Sequence, residues 1–594
     1  MSSRFPAFSL RGPSCSEAGI PANQPSAAPA DKAPGMRLSA FALLMATCMP
    51  CFALSVPVPV DRNLQDQQQK RMLDQAREQR ESLDQQRQTS PAPARRASPD
   101  DAAPADGPCM EVRDVEFRGA ALVPASLKEQ ISAQAAGHCL GKVAVARMLD
   151  EINDWYVANG YITSHAWLPP QNSADPGHMI IAAVEGRTAS VKFSGGDNAA
   201  NRTARTAFAG MTGNPLNLRD IEQGVEQIER VARDGVQVAV RAAPIEGYSD
   251  VVLSGDVSPA LHAAFSLDNT GQESTGKDQA GAILSLNNGL GLAEQLSLSA
   301  TSTMPVDGDR FRRNYGASAV LPVGPWTFSY SGSVGEYAIP FAIDDFTLSY
   351  HGHTVSHRVE ASRILSRNGR QKTDGFLAFS HYTGNTYLDE FRLDYSSERV
   401  AAVQAGINFA TRLGSKSYLT LGPKLTQSIP HYTADLSAGG GAPADFRKAA
   451  LSASLYTQIS PRLSWLSSAY GQWSRSPLFG SERVSIGGDT SVRGFRDAYL
   501  FGDTGAYLRN ELNWTSPAPW GQGNVALTVA LDAGRVVPVE GEPRSGGNVV
   551  GAALGVSASY RRLNASLSIG TPLWAPTQLN ADPFVLSAQL SLTL

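Results

Sequence analysis

From Leu261 to Leu594 the chain alternates apolar with small polar residues, and no other feature restricts its folding so strongly. Leu563, Ala565, Leu567 and Ile569 interleave with Asn564, Ser566 and Ser568; Leu586, Ala588, Leu590, Leu592 and Leu594 interleave with Ser587, Gln589, Ser591 and Thr593. Successive side chains of a β-strand point to opposite faces, so a period of two gives each strand one apolar and one wet face. Repeated with turn residues between, this is the pattern of strands with lipid on one side and an aqueous lumen on the other. A soluble sandwich alternates too. The length of the run, and an end that falls inside a strand, favour a closed barrel whose first and last strands pair and leave no open edge.

Composition points the same way. Charged residues make up 18% of the 594, aromatics 8%, and glycines number 54. With a mean hydropathy of -0.20, this excludes both a helical membrane protein and a disordered chain. A net charge of -4 carries no global nucleic-acid footprint. Beyond residue 53 no segment approaches the ~20 apolar residues of a membrane helix, so any crossing is made by strands.

Residues 1–53 are read as an N-terminal extension and signal peptide. Met36 to Ala53 has a basic residue, an apolar run and small residues suited to cleavage after Ala53, and Met36 suits a start. A membrane helix is disfavoured by the shortness of the run and by Pro50. Cleavage removes Cys15, Cys48 and Cys51 and delivers Cys109 and Cys139 to an oxidising compartment, where they can pair as a disulfide.

Residues 60–88 are predicted as a helix. Asp61 to Gln88 holds nine Gln, six acidic and six basic residues without Pro or Gly, and Asp66 with Lys70 forms an i,i+4 pair. Too few apolar residues are present to bury a stripe, so the helix must be solvated or lie in a polar cavity. At ~1.5 Å per residue it is long enough to plug a pore. Residues 89–108, rich in Pro and Ala, form an extended linker.

Two α/β modules follow, over 109–186 and 187–258. In the first, strands are predicted at Val112–Phe117, Tyr161–Trp167 and Met179–Val184, with helices at Ala125–Ala135 and Val143–Asn159. Met148, Ile152 and Tyr156 recur every four residues in the second helix, and Gly160 stops it. In the second module Asn217 caps a helix whose buried face is Ile221, Val225 and Ile228 and whose end is Gly235. Its strands are Thr188–Phe193, Val236–Arg241 and Asp250–Leu253. The barrel region is 259–594.

Four stretches carry a resemblance: Tyr156 to Gln171 (YVANGYITSHAWLPPQ), Leu216 to Arg230 (LNLRDIEQGVEQIER), Gly247 to Ser249 (GYS) and Ser485 to Phe495 (SIGGDTSVRGF). Together, and in this order, they resemble the two-partner secretion transporters that export haemolysins and filamentous adhesins. The resemblance implies a plug helix, two POTRA (polypeptide-transport-associated) modules in the periplasm and a 16-stranded antiparallel β-barrel in the bacterial outer membrane. It implies translocation of a secreted exoprotein, recognised through its N-terminal secretion domain, with no ATP, cofactor, nucleic acid or small-molecule substrate. The cargo class stays open: haemolysin, adhesin or contact-dependent inhibition toxin.

Particular residues acquire roles from the same resemblance. Val492, Arg493, Gly494 and Phe495 would form the tip of the sixth extracellular loop, folded into the barrel, with Arg493 paired to an inward acid. Strand parity selects Asp532, because Val525, Leu527, Val529 and Leu531 would face lipid. An incoming extended segment can add to an exposed strand edge beside a helix groove. This makes the strand after Val236, and Arg219, Asp220 and Glu222 on the helix from Asn217, candidate partner-binding positions, although a capped amphipathic helix alone explains most of that segment. The chain departs from the family in ending on Leu594 rather than an aromatic residue, which bears on assembly efficiency.

No HExxH or GxSxG occurs, and no catalytic residues are assigned. His351 and His353 share a strand face but lack further ligands for a metal. The alternatives are an assembly factor of the same superfamily, disfavoured by the two modules and plug-like helix, and a passive porin, disfavoured by the N-terminal 250 or so residues.

Overall fold

The computed structural model describes residues 109–594 except 172–174, 176, 307–308, 344–345 and 540–544. The predicted signal peptide, helix 60–88 and linker 89–108 lie outside the described residues.

In the first module, β1 (Met110–Val112) and β3 (His138–Leu140) form a two-stranded sheet, while β2 (Asp114–Arg118), β5 (His178–Val184) and β4 (His165–Trp167) form a three-stranded sheet. Helices α1 (Ala125–Ala135) and α2 (Lys142–Ala158) pack on it. The core gathers Ile131, Met148, Ile152, Tyr156, Met179 and Ile181. The single strand expected over Val112–Phe117 is split at Arg113, because its two halves pair with different sheets. The strand expected from Tyr161 begins only at His165. Residues before it turn, with Ser164 N–H donating to Tyr161 O at 3.0 Å, and the Tyr161 ring stacks on Trp155. Cys109 and Cys139 are disulfide-bonded, closing the module around its first strand pair.

The second module runs β6 (Arg187–Phe193), α3 (Asn198–Ala207), α4 (Leu218–Glu229), β7 (Gln237–Ala242) and β8 (Tyr248–Ser254). Asn217 caps α4 by accepting from Arg219 N–H at 2.8 Å. The helix stops at Glu229 rather than near Gly235, because Val231 leaves it to enter the core. The strand β8 is central, parallel to β6 and antiparallel to β7, so β7 is an edge and its residues are exposed.

Residues from Ala260 onward form a closed barrel of 16 antiparallel strands among the described residues, which rules out the sandwich. Closure is made by Ala260–Asp268 against Val585–Thr593, with Gln589 opposite Asp268 and Thr593 opposite Ala264. Leu594 N–H continues the ladder to Ala263 O at 2.7 Å. The alternation read from the sequence becomes two faces: Leu586, Leu590 and Leu592 are exposed outward, as are Leu563, Leu567 and Ile569. At the modules' end the connections are short, two or three residues at 324–325, 368–370, 414–416, 461–462 and 561–562, six at 518–523 and seven at 288–294, while the far end carries the longest ones, 429–446 and 475–504.

The second module is fastened to the barrel. Thr203 Oγ1 donates to Asn288 Oδ1 at 3.0 Å, and Gly324 N–H to Thr206 O at 2.9 Å. A Cβ on Gly324 would stand 2.3 Å from Ala209 O, so this turn needs glycine for the approach. The charged face of α4 meets the hairpin between barrel strands Phe346–Arg367 and Gln371–Leu388. Arg367 Nη1 donates to Glu226 Oε2 at 2.5 Å and to Gln223 Oε1 at 2.7 Å, and Lys372 Nζ to Glu226 Oε1 at 2.7 Å. Burial opposes ionisation of Glu226, but Lys372, Arg367 and Arg230 together outweigh it and hold the carboxyl below its usual range.

Candidate functional site

Barrel strands Leu463–Ser474 and Gly505–Pro517 are joined by residues 475–504, the longest connection between neighbouring strands of the barrel. The connection arises at the far end but folds into the lumen. Part of it is a small hairpin, Val484–Ile486 against Leu500–Gly502. Ile486, Val492, Phe495 and Leu500 are buried with Tyr470, Tyr507, Val536 and Val549 of the wall, so the loop carries its own apolar core into an otherwise polar interior.

At its tip Arg493 meets Asp532. The side-chain Nε donates to Oδ2 and Nη2 to Oδ1, both at 2.7 Å, and the backbone N–H of Arg493 adds a third bond to Oδ2 at 3.1 Å. This is the two-pronged arginine–carboxylate geometry, in which both partners are oriented as well as attracted. The Asp532 side chain is 0% exposed, while Leu527, Val529 and Leu531 of the same strand face outward. A second acid joins the pair: Arg493 Nη1 donates to Glu511 Oε1 at 2.9 Å, and Arg509 Nη2 to the same oxygen at 3.0 Å. Arg509 Nη1 also reaches Asp489 O at 2.9 Å, tying wall to loop once more.

The tip lies flat because the wall is bare of side chains beneath it. Gly494 has φ +94°, and a Cβ there would stand 2.5 Å from Thr571 O. On the wall, a Cβ on Gly551 would fall 1.8 Å from Arg493 O, and one on Gly570 would fall 2.7 Å from Gly494 N. Asp532 and Gly551 are cross-strand partners, so the acid and the gap that admits the backbone lie side by side. Neither Glu511 nor this glycine groove was singled out from the sequence. Glycines inside barrel strands mark close backbone approach, and that was the available signal.

The remaining candidates are more scattered. Val492 and Phe495 are buried in the loop core, at 0% and 2% exposure. Val236 is half-buried and packs against the core of the second module; the exposed positions are those of β7 after it. Arg219 is paired with Glu222 at 2.7 Å, and Glu222 lies 3.7 Å from barrel residue Arg367. That face of α4 is thus turned to the barrel, because its acids find buried cations there, and only Asp220 of the three is exposed. His351 stacks on Tyr387, and His353 meets Asn385 at 3.1 Å.

Residues 247–558 match the family described as haemolysin secretion/activation protein ShlB/FhaC/HecB. Residues 110–186 match the ShlB-type POTRA domain and 187–242 a further POTRA domain. The chain is 34% identical over 548 residues to the outer membrane transporter CdiB of Escherichia coli, covering 91% of this chain and 92% of that protein. It is 26% identical to the hemolysin transporter protein ShlB of Serratia marcescens, over 90% and 95%. A solved structure of Escherichia coli CdiB superposes with a TM-score of 0.83 at 33% identity, covering 91% of this chain and all of that one. CdiB of Acinetobacter baumannii, at 21% identity and a TM-score of 0.70, shares the fold.

Proposed function

The chain belongs to the haemolysin secretion/activation family ShlB/FhaC/HecB, and from that premise we propose how its parts serve the export of a partner. It is an outer-membrane two-partner secretion pore with periplasmic POTRA domains, and its partner is a secreted exoprotein. The POTRA domains receive the exoprotein's N-terminal secretion domain in the periplasm. The exposed edge β7 supports this reading, since an extended segment can add to it as a fourth strand. An acidic or amphipathic groove on α4 is less available, because that helix is fastened to the barrel.

The observation that carries the mechanism is the loop tip held inside a closed barrel by Arg493 and Asp532. The loop sets the shape of the conduit, and the ion pair sets the position of the loop. Removing one partner in an enclosed site leaves the other charge uncompensated. Translocation needs no nucleotide in this scheme: the unfolded chain moves down its own gradient of folding and release at the cell surface. The helix 60–88 is assigned to plugging the pore at rest. Deleting 61–88 raises single-channel conductance in planar bilayers on this reading, and an unchanged conductance removes the helix from the pore.

The test of the central role is Arg493→Ala co-expressed with the partner exoprotein. Secretion into the medium falls by at least about tenfold, the scale of one lost charge-assisted contact, while the barrel still inserts and still resists SDS until heated. Secretion at the wild-type level by this variant removes the pair from the mechanism.

A further inference from the structure

We propose that the lumenal loop is held by a second clamp at its root, formed by Glu398 and Lys448 of the barrel wall on Gly480–Glu482, and that release of this clamp opens the outer end of the pore while the Arg493 clamp stays closed. The proposal rests on the reading of the barrel as an export conduit.

Glu398 is the first residue of strand Glu398–Leu413. Its carboxylate accepts the backbone N–H groups of Gly480 at 2.7 Å and Ser481 at 3.2 Å, one on each oxygen. Lys448, on strand Arg447–Ser460, lies 2.6 Å from Glu482 Oε2, and its ammonium also donates to Glu482 O at 2.8 Å. Gln472 completes the grip, donating through Nε2 to Glu482 O at 2.9 Å. The side chains of Lys448 and Glu482 are 6% and 7% exposed. A charge pair so enclosed interacts through a medium far less polarisable than water, so the attraction is strong and its loss is felt.

A roof explains the dryness. The connection 429–446 lies over the root of the loop, and Phe446 and Ala442 are buried against Val400, Leu478 and Phe479. The Phe446 and Phe479 rings are 5.9 Å apart. Ion pair, backbone grip and apolar roof thus converge on residues 478–482.

The two clamps hold different stretches of wall. The root is fixed to strands Glu398–Leu413 and Arg447–Ser460, the tip to Gly505–Pro517 and Asn524–Val536 with the neighbouring glycines. A loop tied at both stretches obstructs the lumen between them, and a polypeptide passes only if one attachment yields. The tip attachment adds a backbone groove to its three bonds between Arg493 and Asp532. The root attachment lies at the end where a chain leaves, has no such groove, and draws its charged contacts from one lysine and two glutamates. The geometry therefore assigns the yielding element to the root. Glu398, Lys448 and Glu482 are positioning residues, acting through the loop.

The test uses the purified full chain in planar bilayers. Lys448→Ala and Glu482→Gln each raise the fraction of time in the larger conductance level at least about threefold, and the exchange Lys448→Glu with Glu482→Lys brings it back toward the wild-type value. Heat-modifiable migration in SDS verifies each barrel, and Glu398→Gln, which keeps one acceptor oxygen but replaces the other with a donor and removes the charge, supplies a further variant with an increase. Single variants that open like the wild type overturn the clamp, as does an exchange that stays as open as the singles. A wild-type chain that places no partner polypeptide in the medium would instead defeat the export reading, leaving the conductance result to judge the clamp alone.

Discussion

Arg493 and Asp532 form the contact on which the account turns, and half of it can be read from the alternation. Leu527, Val529 and Leu531 fix the outward face of their strand, so Asp532 must point inward. Glu511 was not legible in the same way. On its strand Arg509, Glu511 and Asn513 all share the inward parity, with Leu508, Leu512 and Trp514 outward, but only folding of the loop brings Arg493 to this second acid. The glycines add a prediction at this scale. Gly551→Val places a side chain where the Arg493 carbonyl lies, 1.8 Å from the new Cβ; both obstructing groups are backbone-borne, so the tip must lift. Secretion falls by about tenfold or more, the equivalent of ~1.4 kcal/mol, with unchanged outer-membrane levels by immunoblot. Asp532→Asn retains shape but not charge, and gives a loss of secretion comparable to Arg493→Ala in the same assay.

Among the elements, α2 and α4 were legible because burial repeats along them: Met148, Ile152 and Tyr156 in α2, and Ile221 and Ile228 in α4, are all buried, whereas α3 was given no range. The short strands were less so. The pairing of β1 with β3 spans only three residues on each side, too few for a period to register. The docking of α4 on the barrel escaped for another reason: nothing near Glu222, Gln223 and Glu226 in the sequence records Arg367 and Lys372, which are brought to them from far along the chain. Glu226→Ala strands two buried cations and weakens the docking by roughly 3–5 kcal/mol, the scale for one half of a broken buried pair. Hydrogen exchange in α4 of the detergent-purified chain reads this as lost protection. The folded Glu226 carboxyl lies below the ordinary value of 4.5, so its contribution is complete above that value and is lost as pH falls through the depressed one. Protection of α4 therefore persists at pH 4 and fades only in stronger acid. The disulfide acts on a separate element. Replacing Cys109 and Cys139 by serine costs the first module about 2–4 kcal/mol, seen as faster exchange in α1 and α2 with α4 unchanged.

For the molecule as a whole, sequence periodicity is informative because a barrel has only two environments, lipid and lumen, and every strand samples both. Closure itself was an inference from a strand that had to find a partner, and that partner is Ala260–Asp268. Leu594 continues this seam, with its N–H bonded to Ala263 O. The lumenal loop was legible as a motif and not as a shape. Its two attachments come from strands separated along the chain by its whole length, and nothing local records which side of the barrel each will reach. Passage of a partner polypeptide through this barrel underlies every role proposed for the loop. The most direct measurement compares culture media from cells lacking this chain, cells restored with it, and cells restored with Arg493→Ala, by mass spectrometry of large secreted proteins. One exoprotein is expected to be absent in the first, present in the second and depleted in the third; an identical set of secreted proteins in all three would refute passage through this barrel.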